Sequence, residues 1–286
     1  MNWKRFAVKS RFFPSRWFYP LITVIVALGI CLNTPLPSRA LDWLPLLQQG
    51  FQAIQLSNIS DRQEVELGKQ INQQLVSSNI KLYRDPEVNR YVQQVGQRLV
   101  ADSDRPNLPY TFQVVQDNSI NAFATMGGYV YVHTGLLKAA DNEAQLASVL
   151  GHEMGHIGAR HAIKQMQQTA IENGLLTASG LNRSQVLQLG VQVARNLPRS
   201  RKNEFEADQR GLRTLGRAGY AQSEMVSFMK KLLKLPAAGP AFLSNHPATG
   251  DRVAELQREI NHQPTNGSQG LNDGTYKTNI QALLNS

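Results

Sequence analysis

Cysteine is almost missing from this sequence. The 286 residues contain one, Cys31, and it lies in an N-terminal apolar run. Without a second thiol the remainder of the chain can form no disulfide, no cysteine-based metal site and no thiol nucleophile. A metal, if there is one, must be held by His, Asp or Glu. Acidic residues are absent from residues 1–40, which carry six cations (Lys4, Arg5, Lys9, Arg11, Arg16 and Arg39). Setting that segment aside leaves 24 cations against 21 acids, so the formal net charge of +9 belongs mostly to the N-terminus. No basic excess remains to recommend nucleic acid as a partner, and that class is excluded. Long apolar runs are missing after Leu32, and there is no internal repeat. With 42% hydrophobic and 18% charged residues, the composition suits a globular chain with ample material for a core.

The first 40 residues read as a signal peptide. A basic, aromatic stretch leads to Pro20, an apolar run of twelve residues occupies 21–32, and Ser38 and Ala40 are the small residues a cleavage site needs. Twelve apolar residues fall short of the roughly 20 that span a bilayer. An uncleaved anchor extended by Trp17, Phe18 and Tyr19 is the rival reading. Both predict an extracytoplasmic protein, periplasmic or secreted, with peripheral membrane contact through the N-terminus in the second case. The expected division is a signal peptide or anchor at 1–40, one domain at 41–262, and a flexible tail with a weak terminal helix at 263–286.

Within that domain the periodicity is mostly helical. Ser60 caps a helix that runs to about residue 77, and Asp85-Pro86 opens another with Val88, Tyr91, Val92, Val95 and Leu99 on its apolar side. Between 108 and 133 the period changes to two. Residues 110–115 and 129–133 alternate as strands, with Gly127-Gly128 as a tight turn before the second. A helix then starts near Asp141 or Asn142. The polar stretch 165–198 is either a lid or a plain connecting helix. Further helices follow a Ser200 cap and occupy 223–235 and 249–260. The expected fold is α+β, mainly helical, with a small antiparallel sheet packed on the helix that begins near 141.

That helix carries His152-Glu153-Met154-Gly155-His156. At 100° per residue the two histidines lie about 40° apart, one turn from each other, and can point at one metal ion. Glu153 sits on the flank of the same face, where it can reach a water on the metal without being a ligand. This H-E-x-x-H spacing is that of a zinc hydrolase. Gly151 and Gly155 in mid-helix signal that something packs close to the backbone. A catalytic zinc wants a third protein ligand, and Glu204, Glu206, Asp208, His161, His246 and His133 are the candidates. His161 stands nine residues from His152, about 180° around the helix, and so does not share its metal; it reads as a polar residue or as one that supports the site from behind the ligands. Glu204 and Asp208 are i and i+4, on one face of their helix, with Glu206 pointing away. Two acids so placed suggest that one ligates and the other orients a ligand histidine.

The pairing of His152-Glu153-Met-Gly-His156 with Asn203-Glu204-Phe-Glu-Ala207-Asp208 resembles the HtpX, BepA and prenyl-protein endopeptidase family of gluzincin zinc metallopeptidases. Asn121-Ala122-Phe123 and the run 128–132 look like that family's substrate-side strands, and His246-Pro247 with Arg252 looks like its late His-Pro…Arg element. The resemblance runs from about residue 63 to 260. It implies a zincin-like metalloprotease domain with one Zn2+ per chain, held by His152, His156 and Glu204. It makes Asp208 the carboxylate that orients a ligand histidine. It also implies roles for His246 and Arg252 in stabilising the oxyanion or gripping the substrate backbone, and makes Gly128, Tyr129 and Val130 the substrate strand. Several transmembrane helices, found in some members, have no counterpart after residue 32. Residues 262–286 are too few for one TPR repeat, as carried by others. An exported single-domain relative is the expectation.

The implied activity is that of a zinc metalloendopeptidase, with Glu153 as general base. Its partners would be unfolded or misassembled extracytoplasmic or membrane-associated proteins, in a protein quality-control role. Two rivals stay open. One is an exported chaperone-like binding protein whose zinc is structural, and the other is a metal-dependent hydrolase of non-peptide substrates.

Overall fold

A computed structural model describes residues 55–78, 80–175, 180–196, 200–235, 241–247 and 250–285. The N-terminal segment read as a signal peptide or anchor lies outside these residues. Among them no helix is long and apolar enough to cross a membrane.

The helix starts follow local chemistry. At α1 (Asp61–Ser78) the Ser60 N–H donates to Gln63 Oε1 at 3.0 Å while the Gln63 N–H donates to Ser60 Oγ at 3.3 Å. This reciprocal box satisfies two donors that a helix start would otherwise leave bare. In α2 (Pro86–Val100) the Val88 N–H donates to Asp85 Oδ1 at 2.9 Å, and Pro86 takes the first position, where no donor is missed. The predicted stripe from Val88 to Leu99 is buried.

Three short strands follow: β1 (Thr111–Val115), β2 (Ala122–Ala124) and β3 (Tyr129–His133). β2 and β3 are antiparallel across a turn in which Gly127 and Gly128 take φ of 78° and 93°, values that favour glycine. β1, however, pairs parallel to β3, from Thr111↔Tyr129 to Val115↔His133. The sheet order is β1-β3-β2. The sheet is therefore mixed, and the expectation of an antiparallel one is corrected. Alternation marks a strand and its buried face but not its neighbour. Here the 116–121 connection crosses the end of β3 and sets β2 on the far side. Val130 and Val132 face one core, Tyr131 and Phe123 another.

α3 (Thr134–Ala139) leads to α4 (Glu143–Gly158), which starts at Asn142, whose side chain accepts the Gln145 N–H at 2.9 Å. Every residue of α4 from Ala144 to Ile157 is buried. α5 (His161–Glu172) and α6 (Arg183–Asn196) form the second core with α1, where Gly190 leaves room for Ile71. The described part of the stretch read as lid or connector thus packs on α1 and α5. α7 (Arg201–Arg217) starts at the predicted Ser200 cap, 3.2 Å from the Asn203 N–H. It is followed by α8 (Ser223–Leu233), α9 (Ala241–Asn245) and α10 (Gly250–His262).

α7 crosses α4 with almost nothing between their backbones. A Cβ on Gly155 would lie 2.6 Å from the Ala207 carbonyl oxygen, and one on Gly211 would lie 2.8 Å from the His152 nitrogen. The neighbour that the mid-helix glycines announce is this helix. Its close approach carries Glu204 and Asp208 to the H-E-x-x-H face. The C-terminal segment differs from the flexible tail expected. α11 (Asp273–Asn279) and α12 (Gln281–Leu284) bury Tyr276, Ile280 and Leu283 in the first core.

Candidate metal centre

The histidines of α4 present their Nε2 atoms to each other at 3.0 Å. Both also face the Glu204 carboxylate of α7, His152 Nε2 at 3.4 Å from Oε2 and His156 Nε2 at 3.3 Å from Oε1. The predicted metal ligands are thereby brought together from two helices. Glu204 and Glu153 are both 0% exposed. A carboxylate without water needs a cation or several donors. Burial alone would raise the Glu204 pKa, but the charge of His246 and hydrogen bonds from His152, His156 and His246 hold it far below the ordinary range.

Asp208, one turn further along α7, lies behind His152. Its Oδ1 is 2.9 Å from His152 Nδ1. That contact fixes the ring with Nε2 toward Glu204, as an orienting carboxylate should. Burial would lower the His152 pKa, yet the hydrogen bonds and charges of Asp208 and Glu204 raise it to about 9. The residues therefore ask for positive charge at this point, which a metal ion supplies as well as a proton does.

His246 joins the cluster itself. His152, His156, Glu204 and His246 each offer one ligand atom within 4.8 Å of the others, a group that can hold one metal ion. Its Nδ1 is 3.2 Å from Glu204 Oε2 and its Nε2 is 3.3 Å from Glu153 Oε1. Phe242 of α9 stacks on the ring at 4.5 Å between centroids. In this arrangement His246 is placed to offer a fourth donor atom, where the resemblance implied an oxyanion or substrate contact. A loop histidine beside a proline carries no signal of that closeness. Two histidines, a glutamate and a further histidine form a nitrogen and oxygen set suited to zinc.

Arg252 is also placed differently from expectation. It is 1% exposed and holds Asp208 in a two-point clamp, Nε to Oδ2 at 2.6 Å and Nη2 to Oδ1 at 2.7 Å. Its Nη1 donates to the Pro247 carbonyl at 3.0 Å and lies 3.0 Å from Glu204 Oε2. This geometry holds the orienting carboxylate and the turn after His246; it does not reach outward to a substrate. Tyr129 and Val130 are not open to a substrate strand either, because β3 has β1 on one side and β2 on the other, and Gly128 lies in the turn before β3. A small cavity lined by Ala124, Thr125, Met126, Ile157, Ile163 and His156 opens instead at the end of β2.

His161 lies behind His156 and outside the ligand group, a supporting place that the sequence reading left open to it. Its Nδ1 is 2.8 Å from His156 Nδ1, and its Nε2 is 3.3 Å from Glu206 Oε2. On one continuous helix His161 would face away from His156, but α4 ends at Gly158 and His161 begins α5. Gly158, a helix-stop residue type, is the signal that could have found it.

Comparison with known proteins points the same way. Residues 86–260 match the model of peptidase family M48. The putative beta-barrel assembly-enhancing protease of Vibrio cholerae is 29% identical over 264 residues, covering 86% of this chain and 54% of its own length. The beta-barrel assembly-enhancing protease of Escherichia coli O157:H7 is 32% identical over 256 residues, covering 84% and 51%. Metalloprotease LoiP of Escherichia coli K12 is 28% identical over 225 residues, covering 74% and 86%. The chain spans about half the length of the first two. Since the family match runs through every residue of the buried cluster, from His152 to Arg252, this chain belongs to peptidase family M48.

Proposed function

We propose that the chain is a zinc-dependent metalloendopeptidase in which His152, His156 and Glu204 hold the metal and Glu153 is the general base. The observation that carries this reading is the convergence of His152 Nε2, His156 Nε2 and the Glu204 carboxylate beside a second fully buried carboxylate, Glu153. When bound, the metal supplies Lewis-acid chemistry, polarising a carbonyl and making water acidic enough to lose a proton near neutral pH. Glu153 takes that proton on a carboxylate oxygen and returns it to the leaving amine. Asp208, clamped by Arg252, keeps the His152 ring in its working tautomer. Four protein donors leave no open position, which is the pattern of a structural zinc site, while a catalytic site keeps three. In the catalytic reading proposed here His152, His156 and Glu204 would hold the metal without His246, which would leave one position for a water or a substrate carbonyl. With β3 enclosed, the extended substrate approaches along β2 toward the cavity at Thr125 and Met126.

The proposed substrates are misfolded or unassembled extracytoplasmic proteins, and the proposed role is protein quality control. The names of the beta-barrel assembly-enhancing relatives and the basic, apolar N-terminus support this, along with an extracytoplasmic location and peripheral contact with a membrane. The four-donor closure favours a second reading, a binding protein with a structural zinc, but such a site has no use for Glu153. The test is casein hydrolysis by Glu153→Gln at full zinc occupancy. Hydrolysis should fall by at least about a hundredfold with zinc retained; an unchanged rate would leave the structural-zinc reading standing.

A further inference from the structure

His156 and His152 are held in position by different means. Behind His152 stands a carboxylate, Asp208. Behind His156 stands another imidazole, His161, 1% exposed, with ring centroids 5.0 Å apart. The backbone goes out of its way to put it there. On a continuous helix five residues would set His161 about 140° around from His156. Instead α4 stops at Gly158, and Arg160 adopts φ 56° and ψ 35°. It is the one non-glycine residue with positive φ among the described residues. An L residue pays a conformational penalty there, so the surroundings must hold it. They do: the Arg160 guanidinium donates to the Ile59 carbonyl at 3.2 Å and pairs with Asp61 and with buried Glu64. Arg105 grips the same two acids. The left-handed turn folds the chain back, and His161 opens α5 with its ring against His156.

Proton placement then follows from donor counting. Two Nδ1 atoms 2.8 Å apart share one hydrogen. If His156 Nε2 presents its lone pair to a metal, the proton sits on Nδ1 and is donated to His161. The His161 proton then sits on Nε2 and points at Glu206 Oε2, 3.3 Å away. Glu206 in turn accepts from Arg210 Nη2 at 2.8 Å, and Arg210 pairs with Asp104. Both imidazole protons then have an acceptor, and His156 Nε2 keeps its lone pair for a metal. The opposite placement would put the His156 proton on Nε2, toward Glu204 Oε1 at 3.3 Å, and would leave a bare His161 Nε2 facing the Glu206 carboxylate.

We propose that His161 is a positioning residue for the metal centre: it accepts the Nδ1–H of His156, is itself held by Glu206, and so fixes the His156 ring with Nε2 toward the metal. This rests on the reading of His156 as a zinc ligand. The tight turn at Arg160 exists to supply that acceptor. Partners of ligand histidines typically contribute 10–100-fold in metal affinity, which sets the size of the effect.

The experiment is zinc affinity by chelator competition on the full chain, with the absorption spectrum of the Co2+-substituted protein as a second readout. His161→Leu should weaken zinc binding by about 10–100-fold and alter the Co2+ spectrum. His161→Asn, whose side-chain oxygen can stand where Nδ1 stood, should stay within about threefold of the parent, and Glu206→Gln should weaken binding about threefold. A leucine variant that binds zinc like the parent overturns the proposal, and so does an asparagine variant as weak as the leucine one. His156→Ala separates the two layers. If it keeps parental affinity, the ligand reading itself fails; if it loses zinc while His161→Leu does not, only the positioning role fails. Should circular dichroism find the leucine variant unfolded, Glu206→Gln decides: weaker binding in a native fold supports the proposal, and unchanged binding overturns it.

Discussion

A single residue, His152, shows how a metal site is written in ordinary acid–base chemistry. Burial works against its protonation, but Asp208 on one ring nitrogen and Glu204 near the other outweigh it and lift the pKa from 6.5 to about 9. A raised pKa in the folded state means that the metal-free protein gains stability from this proton below pH 6.5 and loses it as pH rises through about 9. Zinc needs the unprotonated ring, so its binding releases the proton. Apparent zinc affinity should therefore climb between pH 6.5 and 9, and the gap in melting temperature between zinc-loaded and metal-free protein should widen over that window. A pH series of chelator competition and thermal melts checks both; a flat affinity from pH 7 to 9 would mean that His152 is not held protonated. Much of this was legible beforehand. The i, i+4 histidines and the i, i+4 acids announce faces of helices, and faces are what periodicity reports. The closeness of His246 to the ligand atoms and the contact of His161 with His156 were not, because one residue arrives from a loop and the other by a turn that breaks the helix. Spacing along the chain says nothing about either.

At the scale of elements, the site is the crossing of α4 and α7. Gly151 and Gly155 weaken α4 as a helix, yet Gly155 faces the Ala207 carbonyl so closely that a Cβ would sit 2.6 Å away. At Gly151 the added atom would meet the Gly211 oxygen at an ordinary 3.4 Å. Alanine should therefore separate the two positions. Gly151→Ala gains helix propensity of up to about 1 kcal/mol and little strain. Gly155→Ala must push α7 away, at a cost of about 1–3 kcal/mol, and drags Glu204 and Asp208 from the histidines. Urea unfolding and zinc titration of the two variants check this: only Gly155→Ala should lose both stability and zinc. The sequence marked these glycines as sites of close approach without naming the partner. The sheet was read less well for a related reason. Strand alternation fixed which residues are buried, but the parallel pairing of β1 with β3 depends on where the 116–121 connection crosses, and no periodicity encodes that. The consequence is functional, since it moves the proposed substrate edge from β3 to β2.

For the folded domain as a whole, the segment after His262 bears on α4. Its Gln, Asn, Gly and Ser content suggested a chain without a core of its own, and composition averaged over such a stretch hides three well-spaced apolar anchors. Tyr276 is 1% exposed and donates its hydroxyl to the Leu137 carbonyl at 2.7 Å; Ile280 and Leu283 fill the space beside it. Earlier in the segment, the Gly270 carbonyl accepts the Ala144 N–H at 3.0 Å, one of the orphan donors in the first turn of α4. A side chain at Gly270 would strike that same nitrogen at 2.7 Å, so only glycine lets the segment come this near. The helix that presents the histidines is thus fastened at its start by residues more than a hundred positions later in the chain. Removing residues 266–286 should expose the Tyr276 site and free the start of α4, lowering the melting temperature well beyond what a solvated tail would. Tyr276→Ala, which keeps the Gly270 contact, should by itself cost about 3–5 kcal/mol, as large aromatic truncations in cores do. Because the metal ligands lie two turns or more from Asn142, the point variant should keep its zinc affinity in the native state, whereas the deletion should weaken it by loosening α4 as a unit. If the deletion melts like the parent and binds zinc like the parent, the C-terminal helices are not part of the cooperative fold, and α4 owes its position to α7 and the sheet alone.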